Sequence, residues 1–167
     1  MSVLWLVPIS YAIHLVEETP RFIPWTKKYS WLFTDRFTMP LFIFGNALFM
    51  LYVLISVSLA ITIHKPWALL LGVSTASCIF SNFLLHAVLT LWSGEYSPGI
   101  VTAGSIYVPV SLYVYISLGN QLNANTFIGS VIIGFAVMYI PQLNAIRIAN
   151  LDPMFRMSIS GKLGVFR

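Results

Sequence analysis

Residues 67–92 read WALLLGVSTASCIFSNFLLHAVLTLW, with no Asp, Glu, Lys or Arg among them. A helix needs about 20 mostly apolar residues to cross a bilayer, and this run exceeds that. It decides the fold class. On either side the pattern repeats. A second apolar run covers residues 40–63, separated from the first by the turn His64-Lys65-Pro66, and others cover 100–118 and 126–146. A shorter one occupies residues 1–18. The expectation is an all-α integral membrane protein, a bundle of about five transmembrane helices forming a single domain over residues 1–167.

Composition agrees. The chain is 58% hydrophobic and only 8% charged, with mean hydropathy +0.85, whereas soluble domains carry about 25% charged residues. The formal charge of +4 is small and scattered, which argues against nucleic-acid binding. The lone cysteine, Cys78, excludes an intramolecular disulfide.

The first run ends on His14-Leu15-Val16-Glu17-Glu18, followed by Thr19-Pro20. In a helix His14, Glu17 and Glu18 share one side. Thr19-Pro20 reads as the stop, which would leave two carboxylates at the negative end of the helix dipole. Such a pair needs a proton, a metal or a basic partner. A cleaved signal peptide is the plainer alternative. However, no basic segment precedes the apolar run, and acidic residues stand where small ones would mark cleavage. Residues 19–38 mix cations with Trp25, Tyr29, Trp31 and Phe33, the composition of a segment lying among lipid headgroups.

Charges set the orientation. Arg21, Lys27, Lys28 and Arg36 against Asp35 leave +3 in the first connection, and residues 147–167 also carry +3. With five spans these lie on one face, which a Lys/Arg excess marks as cytoplasmic. The N-terminus is therefore expected outside and the C-terminus cytoplasmic, in the plasma (inner) membrane. In either orientation, alternating spans bring His14, Glu17, Glu18, Asn46, His86, the 97–102 stretch, Gln142 and Asn144 into one leaflet.

Residues 82–86, Asn-Phe-Leu-Leu-His, put Asn82 and His86 one helical turn apart, on a stripe shared with Ser74, Cys78 and Thr90. Small and polar residues at that spacing can be packing glue, but an ionisable residue at membrane depth more often marks a site. Residues 97–102, Ser-Pro-Gly-Ile-Val-Thr, open the fourth span. Ser97 as N-cap with Pro98 at the first helical position is one reading. The other is a helix start whose free N–H groups receive an anionic headgroup. Gln142 and Asn144 follow Pro141, where packing is the simpler reading.

His14-x-x-Glu17-Glu18, Asn82-x-x-x-His86 and Ser97-Pro98-Gly99-x-x-Thr102, in that order, resemble the HXXEE-domain family of small integral membrane proteins over roughly residues 10–150. The family has no established activity. The resemblance implies that these positions form one site.

The leading expectation is a membrane-embedded enzyme acting on a lipid or other hydrophobic small molecule. Desolvation and repulsion favour a shared proton between the carboxyl groups, so Glu17 and Glu18 would supply acid and base, with His14 and His86 as proton partners. Isomerisation, cyclisation and hydrolysis all fit. Asn82 would orient His86 or substrate, and Ser97, Gly99, Thr102, Asn46 and Gln142 would line the substrate's place. A metal-assisted version uses His14, Glu17, Glu18 and His86 as ligands for Zn²⁺ or Fe²⁺, although no His-Glu-x-x-His or paired Glu-x-x-His spacing is present. Non-enzymatic alternatives are a lipid- or cofactor-binding protein, a proton-coupled carrier that conducts as a homo-oligomer, and a structural subunit of a membrane complex. A carrier needs polarity through both leaflets, and here the ionisable groups stop halfway. In a structural subunit the cluster would be a buried salt bridge between spans 1 and 3.

Overall fold

The computed structural model describes residues 1–29 and 37–141. Among them are five helices and no strand: α1 (Leu6–Lys28), α2 (Met39–Ile63), α3 (Pro66–Ser93), α4 (Ile100–Gln121) and α5 (Ala124–Pro141). A short 3₁₀ turn, Ser2–Trp5, leads into α1. The helices α2 to α5 are each long and apolar enough to cross a membrane.

Helix α3 is the centre. Of its apolar stretch 61% is buried, against 22% for each of α2, α4 and α5. Small residues let its neighbours come close. A Cβ on Gly72 would lie 2.5 Å from that of Ala60 on α2, and one on Gly134 of α5 would lie 2.3 Å from that of Ser77. Hydroxyls and a thiol then stitch the contacts, because in a dry interior each polar group needs a partner. Tyr52 and Ser74 join α2 to α3 at 2.6 Å. Ser111 donates to the Ala76 carbonyl at 2.9 Å between α4 and α3. Cys78 donates to the Gly134 carbonyl at 3.2 Å between α3 and α5. The Ser74 and Cys78 end of the predicted stripe is therefore packing. The apolar core runs beside it through Leu4, Val7, Val53, Val57, Val73, Ile79 and Val114, all fully buried.

The turns follow local chemistry. His64 (φ 53°) ends α2 in the left-handed region, and Pro66 opens α3 at its first position. Gly94 (φ 67°) ends α3, its N–H donating to the Thr90 carbonyl at 3.0 Å.

Two expectations need correction. Helix α1 does not stop at Thr19-Pro20 but continues through Pro20 and Pro24 to Lys28. Each proline removes one hydrogen bond and strains the turn before it. Side-chain burial outweighs that loss. Ile23, Trp25 and Thr26 are buried, and the Phe22 ring packs on Phe42 of α2 with centroids 5.3 Å apart. Glu17 and Glu18 thus lie in mid-helix, away from its C-terminal dipole, and the first half of the 19–38 connection is helical. Helix α4 begins at Ile100 and contains a π-helical stretch, Ala103–Tyr107. Residues 30–36, the end of the 126–146 run with Gln142 and Asn144, and the basic tail lie outside the described residues.

Candidate functional site

The three sequence motifs meet. His14 and Glu18 project from α1, His86 from α3, and the 94–99 loop with the start of α4 closes over them. His14, Glu18 and His86 are buried to 0%, 6% and 1% exposure. The Glu18 carboxyl stands between the imidazoles: Oε2 is 3.6 Å from His14 Nε2 and Oε1 is 3.5 Å from His86 Nε2. The rings meet edge-on with centroids 5.2 Å apart. Among the described residues neither Nε2 atom has a hydrogen-bond partner.

The opposite face of each ring is anchored. His14 Nδ1 lies 2.9 Å from Thr102 Oγ1, and His86 Nδ1 lies 3.0 Å from Ser97 Oγ. The Thr102 hydroxyl donates its one hydrogen to Glu17 Oε2, so toward His14 it can only accept. His14 therefore carries a proton on Nδ1, and as a neutral imidazole it turns a bare Nε2 lone pair to Glu18. That tautomer follows from the network.

Glu17 has a different task from its neighbour. Its carboxylate accepts from the Thr102 N–H at 2.7 Å, the Val101 N–H at 3.3 Å, and the Tyr96 hydroxyl. It caps α4 from another helix, where orphan N–H groups and the positive dipole end favour an anion. The amides expected to receive a headgroup are occupied by this carboxylate. Ser97 is not the N-cap either. Gly99 holds that position, and the Ser97 hydroxyl faces His86. Glu17 and Glu18 are adjacent in sequence yet do not form an acid–base pair: one clamps the α4 start, the other faces the histidines.

Gly99 (φ 99°) is required on two counts. Its backbone lies in the left-handed region, and a Cβ there would sit 2.6 Å from His14 Cε1 and 3.0 Å from His86 Cε1. The loop is pinned further out by the exposed Lys28–Glu95 pair at 3.0 Å.

Other predicted residues are further from the cluster. Asn46 accepts from the Tyr11 hydroxyl and donates to the Phe42 carbonyl at 2.9 Å. Asn82 donates to Met138 Sδ at 3.8 Å, and Ser97 takes the position on His86 that Asn82 was expected to hold. Sequence reasoning missed two tyrosines. Tyr96 adjoins the Ser97 motif and could have been included with it. Tyr107, fully buried, packs its ring 4.6 Å from that of His14, and its hydroxyl has no partner among the described residues. In an α-helix Thr102 and Tyr107, five apart, would point roughly 140° away from each other. The wider π turn lets both face His14, and no sequence pattern announces it.

The family model described as "Protein of unknown function with HXXEE motif" matches residues 5–114. No curated protein and no solved structure matches the chain.

Proposed function

The chain belongs to the HXXEE family, whose function is unknown, and we propose that it is a membrane-embedded enzyme acting on a lipid or other hydrophobic substrate. The reaction is acid–base chemistry of the isomerase, cyclase or hydrolase type, centred on His14, Glu18 and His86. The protein sits in the plasma (inner) membrane with its N-terminus outside, the site in the cytoplasmic leaflet and the C-terminus in the cytoplasm.

One observation carries this reading: two imidazole nitrogens without hydrogen-bond partners converge on one buried carboxyl. Burying polar groups without partners is costly, and proteins retain such arrangements where the groups must act. At 3.5–3.6 Å the carboxyl oxygens stand outside hydrogen-bond distance of both nitrogens. In an isomerisation, for example, a base takes a proton from one substrate carbon and an acid returns one to another, leaving the formula unchanged. The His14 lone pair and the Glu18 carboxyl face each other as such a pair.

The test compares wild-type protein with Glu18→Gln in vesicles made from a total lipid extract, followed by untargeted mass spectrometry. A hydrophobic compound that is consumed or formed only with wild-type protein supports the enzyme. Identical profiles, with both proteins folded, would overturn it.

A further inference from the structure

We infer that His14, Glu18 and His86 form a binding site for one divalent transition-metal cation. This inference rests on the proposal above that these three residues are one working centre. With the cation bound, acid and base are supplied by the ion and its coordinated water, and the three side chains serve as its ligands.

Four observations converge. First, one ligand atom from each residue can be chosen so that all lie within 4.8 Å of one another, and all three residues are buried. Second, the spacing suits an ion. Bonds of about 2.1 Å in tetrahedral geometry place neighbouring ligand atoms about 3.4 Å apart, and each imidazole nitrogen lies near that distance from its own oxygen of the Glu18 carboxyl, 3.6 Å for His14 to Oε2 and 3.5 Å for His86 to Oε1. Those separations are too long for hydrogen bonds and right for two ligands sharing a centre. Third, both proposed nitrogen ligands are orphaned atoms. Both Nε2 positions are without partners among the described residues, and a cation between them satisfies both together with the carboxylate.

Fourth, the surrounding contacts are those a metal-binding histidine uses. Such a ring ordinarily gives its second N–H to an oxygen, which fixes tautomer and orientation. Here His14 Nδ1 meets Thr102, itself held by Glu17, and His86 Nδ1 meets Ser97. Glu17 so acts as a positioning residue, through Thr102. Two imidazoles with one carboxylate suit Zn²⁺ or Fe²⁺, and the nitrogen ligands disfavour Mg²⁺ and Ca²⁺.

The experiment uses Zn²⁺ alone on detergent-purified, full-length protein, with bound metal measured by elemental analysis after desalting. His64 is the remaining histidine of the chain and is exposed, so His64→Gln serves as background control. One equivalent per chain is expected in wild type and His64→Gln, and loss in Glu18→Gln and His86→Gln. Thr102→Val should keep the site but weaken zinc affinity about 10- to 100-fold. Zinc retained undiminished by Glu18→Gln, or no stoichiometric zinc in wild type, would overturn the site. If either loss variant fails to fold, X-ray absorption of zinc-loaded wild type decides: two imidazole nitrogens in the first shell support it, one or none refutes it. No substrate enters these measurements, so their failure is distinct from a failure of the lipid comparison.

Discussion

At the scale of single residues, two adjacent glutamates show how position outweighs identity. Glu17 accepts two backbone N–H groups and two hydroxyls from the α4 start and Tyr96, and charge-assisted bonds of that kind stabilise. Glu17→Ala should therefore lower stability by about 1–2 kcal/mol, read from thermal unfolding in detergent. Glu18 accepts no hydrogen bond among the described residues and is buried, an arrangement that costs stability. Glu18→Gln should unfold at the same temperature as wild type or higher when both are metal-free. Equal losses for the two variants would contradict the division of labour. Gly99→Ala must accommodate both a Cβ against the imidazoles and a left-handed backbone. It should cost about 1–3 kcal/mol and displace the histidines together.

Among the helices, the central place of α3 comes from glycines that admit its neighbours. Gly72→Ala and Gly134→Ala would each force a Cβ within 2.5 Å of another side chain. Overpacking of this kind costs about 1–3 kcal/mol. Gly45, also on a helix, has nothing within 4 Å of its would-be Cβ. Gly45→Ala should be neutral or stabilising by up to about 1 kcal/mol, since alanine is the better helix former. Unfolding of the three variants side by side separates contact from propensity. The exposed Lys28–Glu95 pair belongs at this scale too. Although Glu95 holds the Lys28 ammonium above its ordinary pKa, both side chains are largely solvated and screened. Glu95→Gln should leave unfolding unchanged.

For the molecule as a whole, the question is how the bundle sits in a membrane. The Lys28–Glu95 contact places the end of α1 and the loop after α3 on one face. The proposed orientation makes that face cytoplasmic and puts the turn after α4 outside. Cys78, the lone cysteine, is buried, so labelling starts from a quiet background. A membrane-impermeant maleimide should label Asn120→Cys in intact cells, and Glu95→Cys only after permeabilisation. The reverse pattern would invert the orientation while leaving the site's geometry intact.

The sequence by itself determined the helical class, the bounds of α2 and α3 to within a residue, and the gathering of His14, Glu18, His86 and the 97–102 stretch. These follow from apolar run length and alternation, which act locally along the chain. Tertiary structure decided what local rules cannot reach. Packing of Phe22 and Trp25 carried α1 past two prolines. The π turn brought Tyr107 and Thr102 onto His14, and the α4 amides claimed Glu17 while leaving Glu18 to the histidines. In each case the deciding energy comes from partners distant in sequence: a buried ring, an orphan N–H, a hydroxyl with a single hydrogen to give.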